Sequence, residues 1–245
     1  MKLLVIGDSC LDVFKYGEVN RLAPEAPVPI IIPESETSNP GMASNVVRNL
    51  EALGCQVDII TNKTEIRKIR YVCSKYNHLL LRVDENDTCE KVDQNTLNSL
   101  NYSDYEAIVI SDYCKGFLIE EDIEYISKNH KLTFLDTKKI FGSWAHKIKF
   151  IKINSLEFKN NIDVFEVDKK LLEKVIVTKG KNGCEYQGKI YPTESVSVKD
   201  LSGAGDTFLA GLVSEYIRSK DIYSAIKFAQ ECTTIVVQKS GVSTI

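Results

Sequence analysis

The sequence holds only three histidines, His78, His130 and His146, which form no cluster, and no H-E-x-x-H occurs. Zinc-dependent hydrolysis has no ligand set here. A G-x-S-x-G elbow is also missing, so a hydrolytic serine triad has no support. There is no Walker A pattern G-x-x-x-x-G-K-[ST], so any bound nucleotide is held in another way. The cysteines, Cys10, Cys55, Cys73, Cys89, Cys114, Cys184 and Cys232, are odd in number and never arranged as C-x-x-C. They read as reduced thiols rather than a disulfide framework. No apolar run approaches a membrane span, and the opening MKLLVIGDSCLD is too short for a signal h-region, so a cytoplasmic protein is expected. The formal charge of −3 gives nucleic acid no bulk reason to bind. What remains is an ordinary globular composition, 43% hydrophobic and 27% charged over 245 residues, without repeats or low-complexity tracts. A chain of this size buries about 70% of its surface on folding and needs no staples.

Short apolar runs alternate with segments of helical period, which predicts an α/β protein with a mainly parallel sheet covered on both faces. Leu3–Ile6, Val57–Thr61, Ala107–Ser111, Thr133–Asp136, Phe150–Ile153 and Lys174–Thr178 read as buried strands. Ala43–Leu53 reads as a helix, with Gly54 as its left-handed stop. Two stretches break the rhythm. Glu25–Pro33 (EAPVPIIIP) is too rich in proline for a helix or a central strand and suits an edge strand or flap. Ile66–Asp84 reads as two β arms about a polar turn near Tyr76 and Asn77, expected to pair with that flap. Further on, Asn182-Gly183 and Gln187-Gly188 mark turns flanking short strands at 184–186 and 189–191. The lysine pairs at 138–139 and 169–170 are expected to be solvated.

The segment from Val196 to Tyr216 is the most informative. A β-branched strand is predicted to run into Ser202-Gly203-Ala204-Gly205-Asp206, followed by Phe208, Leu209, Leu212, Val213, Tyr216 and Ile217 at helical spacing. Small residues at a helix N-terminus expose N–H groups to an anion, and the helix dipole adds positive potential. An aspartate there would repel a phosphate unless it has another task, and general base for an attacking hydroxyl is the task that fits. The alternative is a plain helix cap. Asp8 and Asp12, Gly41–Asn45, Asn154–Glu157 and Thr178–Gly180 all follow predicted strands or open the first helix, where ligands of open α/β sheets gather. Each is also acceptable as a turn or surface residue.

Taken together these strings carry a resemblance. DLSGAGDTFLAG at 200–211 and PGMASNVVRNLEALG at 40–54 resemble the two signatures of the ribokinase-like (PfkB) carbohydrate kinases. GDSCLDVFKYGEVNRLAPEAPVPI at 7–30, HLLLRVD at 78–84, ISDYCKGFL at 110–118 and the closing KSGVSTI resemble, within that family, the heptose 7-phosphate kinase half of bifunctional ADP-heptose synthases. The resemblance implies a ribokinase-like three-layer α/β fold with a mainly parallel central sheet and a small β lid from about 13–33 and 66–84, all within one domain spanning 1–245. It implies ATP and Mg²⁺ as cofactors and a sugar phosphate as acceptor. Asp206 would be the base, with Gly203, Ala204 and Gly205 as the anion hole. Asn154 and Glu157 would order the metal and nucleotide phosphates, Glu157 reaching Mg²⁺ through water. Thr178, Gly180 and Gln230 would lie on the nucleotide side. Asp8, Asp12, Gly41 and Asn45 would hold sugar hydroxyls, and Arg82 and Lys115 the sugar's own phosphate. The lid would pair two subunits into a homodimer.

Three departures bear on substrate. Met42 stands where the family usually has glycine, Gln230 replaces an asparagine beside the adenine site, and the strand ending at Thr61 runs almost directly into Ile66, where relatives carry an extra segment. No H-x-G-H nucleotidyltransferase motif occurs, so only the kinase step is expected. A kinase for another sugar or a nucleoside, and a silent sugar-phosphate binder, are the alternatives.

Overall fold

A computed structural model describes residues 1–239 and 241–245; Ser240, within the closing string, lies outside the described residues. The main sheet contains β1 (Lys2–Gly7), β4 (Gln56–Ile60), β7 (Ala107–Asp112), β8 (Thr133–Thr137), β9 (Phe150–Asn154), β10 (Val175–Thr178), β11 (Cys184–Tyr186) and β12 (Lys189–Tyr191). Their order across the sheet is β12-β11-β10-β9-β8-β7-β1-β4. The strands from β4 to β10 are parallel, and β11 and β12 extend the sheet as an antiparallel hairpin.

β1 shows why the apolar runs are unbroken. Leu3 and Val5 enter a core with α1 (Ala43–Ala52), α7 (Ala204–Ser219) and α8 (Ile222–Val236), while Leu4 and Ile6 enter a second core on the opposite face. That second core is built by α2 (Gln94–Ser99), α3 (Glu120–Asn129), α5 (Ile162–Val167) and α6 (Lys169–Leu172), with the short α4 (Ser155–Asn160) at its margin. A strand buried on both faces has no reason to alternate. The chain is thus α/β in three layers.

A second sheet, ordered β3-β2-β5-β6, comprises β2 (Ser9–Leu22), β3 (Pro29–Met42), β5 (Ile66–Cys73) and β6 (His78–Glu85). It is wider than the expected 13–33 and 66–84. It also pairs differently: β5 lies parallel to β2, not against the proline-rich strand, which takes the sheet's edge as β3. Pro29, Pro33 and Pro40 have no N–H to give, so β3 cannot serve two neighbours. Only Asp8 separates β1 from β2, and β3 runs directly into α1, so this sheet grows from the carboxyl end of β1. Residues 61–65 alone connect β4 to β5, leaving β4 as the last strand of the main sheet.

The strand expected from Val196 does not form. Residues 192–198 are irregular, and Lys199 and Asp200 are held instead by N–H bonds to the carbonyl of Val237. All seven cysteines are unpaired, and among the described residues no helix is long and apolar enough to cross a membrane.

Candidate active site

Asp206 lies in the first turn of α7, 3% exposed. Gly203 caps that helix at φ 81°, a left-handed conformation that glycine adopts without strain, and a Cβ there would come within 2.6 Å of Asn45 Nδ2. The close approach lets Asn45 Nδ2 donate to Asp206 Oδ2 at 2.9 Å, while the Tyr113 hydroxyl donates to Oδ1 at 2.6 Å. Burial raises the Asp206 carboxyl to about 6, against the lowering effect of these two bonds and of Lys152, with Asp136 adding to the rise. Keeping it ionised at neutral pH therefore costs the fold roughly 3 kcal/mol. Such a carboxylate accepts a proton readily and releases it again near neutrality.

The Gly203–Asp206 turn has fewer N–H groups to offer an anion than expected. The Ala204 N–H is spent on the carbonyl of Leu201, whereas among the described residues the N–H groups of Gly203, Gly205 and Asp206 have no acceptor. Beneath the turn sits Lys152 on β9, whose Nζ would lie 2.9 Å from a Cβ on Gly205 and contacts Asp136 Oδ2 at 2.6 Å. Burial disfavours this charge, but Asp136, Glu157 and Asp206 outweigh it and hold Lys152 above its ordinary value. Neither Lys152 nor Tyr113 stands out in the sequence as a site residue. A lysine inside the buried run FIKIN was the available signal for the first; Tyr113 lies in the ISDYCKGFL string but carries no mark of its own.

Asn154 ends β9 beside Thr178 at the end of β10. Asn154 caps α4 through the N–H groups of Leu156 and Glu157, and Glu157 Oε2 accepts from the Asn154 N–H in return. The Glu157 carboxyl is raised by burial and by Asp136. Its Oε1 takes no hydrogen bond among the described residues, and Mg²⁺ characteristically keeps its waters while leaning on one or two carboxylates and substrate phosphates. Glu157 and Asp136 fit that role; no cluster of three or more potential ligands exists among the described residues. Thr178, Gly180 and Gln230 do converge, lining a cavity of about 130 Å³ with Ala204 and Gly205. Thr193 and Gln230 also line a larger cavity of about 590 Å³ between residues 191–196 and α8. Gln230 Nε2 is tied to the Tyr191 carbonyl at 2.7 Å.

The residues expected to hold the sugar are distributed differently. Asp8 is fully buried and its carboxylate accepts from the N–H groups of Tyr113, Lys115 and Phe117, so it anchors the 113–117 loop instead of facing a ligand. Asp12 is paired with Arg70, and a Cβ at Gly41 would run into its carboxylate. Arg82 is 47% exposed and bound to Asp84, and Lys115 is bound to Asp87 at 2.5 Å, so neither is a free cation for a phosphate. The 138–139 pair is not simply solvated: Lys138 Nζ lies 4.5 Å from the Tyr113 ring centroid and Lys139 Nζ 3.6 Å from Asp112.

A family model for pfkB family carbohydrate kinases matches residues 76–245. The chain belongs to that family, whose members are ATP-dependent kinases. It is 27% identical, over all of its length, to the bifunctional protein HldE of Hydrogenovibrio crunogenus, and 29% identical over 99% of its length to HldE of a Nitratiruptor species. The chain spans 61% and 63% of these relatives. The alignments run over 293 and 292 positions, more than the chain contains, so segments of the relatives have no counterpart here. In fold it is similar to an Arabidopsis thaliana ribokinase complexed with ribose and ATP (TM-score 0.70, 15% identity, 98% of this chain and 93% of that one). A Methanocaldococcus jannaschii nucleoside kinase of the ribokinase family gives TM-score 0.69 at 18% identity, over 98% and 93% of the two chains.

Proposed function

We propose that this PfkB kinase transfers the γ-phosphoryl of ATP to a hydroxyl of a sugar phosphate, with D-glycero-D-manno-heptose 7-phosphate as acceptor and the 1,7-bisphosphate as product. The observation that carries the reading is Asp206, a buried carboxylate raised to about 6 at the mouth of a helix N-terminus with unspent N–H groups. Asp206 takes the proton of the acceptor hydroxyl while Asn45 and Tyr113 fix the orientation of its two oxygens. The N–H groups of Gly203, Gly205 and Asp206, the dipole of α7 and the Lys152 charge stabilise the negative charge that spreads over the phosphoryl oxygens. Glu157 and Asp136 would hold Mg²⁺, which would supply charge neutralisation to the nucleotide phosphates. The adjoining cavities of about 130 and 590 Å³ accommodate the nucleotide. The second sheet acts as a lid that excludes water, and two such sheets pair in a homodimer.

The HldE relatives and the residue strings at 7–30 and 78–84 support the heptose acceptor. Mg-dependent ATP consumption across a panel of sugars, sugar phosphates and nucleosides tests it. Turnover greatest with the heptose 7-phosphate is expected. Turnover only with another acceptor would move the specificity, and no turnover with any would leave a binder.

A further inference from the structure

The second sheet presents a row of charge toward the α/β body: Asp12 on β2 stands opposite Lys68 on β5, which stands opposite Asp84 on β6. Two carboxylates flanking one ammonium would be a balanced arrangement, but both are already taken. Asp12 is bound by Arg70, and Asp84 by both ends of the Arg82 guanidinium at 2.7 and 2.5 Å. Lys68, only 9% exposed, has no carboxylate within ion-pair distance among the described residues. Its Nζ lies 3.2 Å from the Met42 sulfur and 5.1 Å from the Tyr113 ring centroid. A thioether is a weak acceptor, and a buried ammonium without an anionic partner is costly.

A second, independent oddity meets it there. Met42 has φ 59° and ψ −130°, a backbone region that side chains other than glycine occupy only when the surroundings force them. A strained methionine thus delivers sulfur to a lysine whose flanking carboxylates are bound by arginines. The Tyr113 hydroxyl against whose ring Lys68 rests is bound to Asp206, so the cation faces the chamber of the base. The phosphoryl being transferred already has Lys152 beneath Gly205, on the other element of the cleft.

We infer that Lys68 is the cation that receives the acceptor's own phosphate, the Met42 thioether yielding its place to a phosphate oxygen. This rests on the reading of the acceptor as a sugar phosphate, and it replaces Arg82 and Lys115, whose charges are spent. Met42 is then a placeholder: its thioether rests on Lys68 until an anion displaces it, and the lysine carries the preference.

The test compares kcat/KM for paired acceptors, D-glycero-D-manno-heptose 7-phosphate with the free heptose and fructose 6-phosphate with fructose, in the wild type and in Lys68→Met, Lys68→Arg and Met42→Leu. The preference for the phosphorylated member is expected to fall about 10- to 100-fold in Lys68→Met, the worth of a charge-assisted bond, mainly through KM, and to return in Lys68→Arg. Met42→Leu keeps the preference. A wild-type preference that survives Lys68→Met overturns the role of Lys68 while the sugar-phosphate reading stands. A wild-type preference for the unphosphorylated members overturns that reading, and Lys68 with it. Equal loss on both members in Lys68→Met, or loss of preference in Met42→Leu as large as in Lys68→Met, makes the pair a packing contact and overturns the inference. Thermal melting of each variant shows that the comparison is made between folded proteins.

Discussion

The half of the cleft built on α7, α8 and β10 and the half built on the second sheet treat charge in opposite ways. On the first, the N–H groups of Gly203, Gly205 and Asp206 lack acceptors among the described residues, Asp206 is held ionised against its environment, and two cavities that share Thr193 and Gln230 lie near the turn. On the second and beside it, charged groups are largely spent on one another: Asp12 with Arg70, Arg82 with Asp84, Lys115 with Asp87, Asp8 with a loop backbone; Lys68, resting on the Met42 thioether, does not follow them. A rigid body that stores unsatisfied groups is ready to stabilise charge as it develops, with no reorganisation needed. Under the proposed function, a sheet whose ions are largely paired would exchange partners when the acceptor arrives, and so would set selectivity more than rate.

The comparison breaks most sharply at Asp206. Asp206→Asn keeps the hydrogen-bonding shape but cannot take a proton, so kcat should fall at least about 10²-fold, while the melting temperature should rise, because the cost of a buried carboxylate is gone. The sign follows from linkage: a carboxyl raised from 3.8 to about 6 favours the folded state below pH 4, and that contribution is lost as pH rises through about 6. Turnover runs the other way, rising with pH to a plateau above about 6 as the base ionises. A variant that loses activity and stability together would place Asp206 in the architecture instead.

Gly205→Val comes next. Its Cβ would press on Lys152 Nζ at 2.9 Å and its branches would cover the turn, so activity should drop at least about 10²-fold with the fold retained by circular dichroism. Tyr113→Phe should cost less, about tenfold in kcat, and should shift the pH inflection upward from about 6, since the lost bond is one that lowers the Asp206 carboxyl. An unmoved inflection would disconnect Tyr113 from the base.

Asp12→Asn sharpens the other side of the contrast: it frees Arg70 and should raise acceptor KM about tenfold with nucleotide KM unaltered, as steady-state kinetics in both substrates would reveal. The smallest effect on turnover is expected from Leu81→Glu. Leu79 and Leu81 stand exposed on β6, and a charge there should turn a dimer into monomers by sedimentation velocity, changing kcat by less than about threefold. A wild type that sediments as a monomer defeats that reading of the sheet.

What the sequence disclosed follows the range of the forces involved. Strands such as Leu3–Ile6 were legible because burial on both faces leaves an uninterrupted apolar run, and the α1 stop because Gly54 takes φ 80°. The GAGD turn was legible because its residue types serve both backbone and chemistry. The parallel partnership of β5 with β2 was not, since it joins segments more than fifty positions apart through backbone groups that leave no residue signature. Val196–Val198 misled because β-branched residues favour a strand only where a neighbour is present to pair with them. The spent state of Arg82 and Lys115 was equally hidden: a sequence shows which residues are charged, and only folding shows which have found each other.

The junction of β3 with α1 gives the second sheet a mechanical role. Met42 is at once the final residue of β3 and the cap of α1, and Asn45 lies within the helix's first turn with its amide on Asp206. With no slack between strand and helix, β3 works as a crank handle on α1. Under the proposed function, a tilt of the sheet over an acceptor would be delivered as torque to the Asn45 amide, gearing the aim of Asp206 to closure.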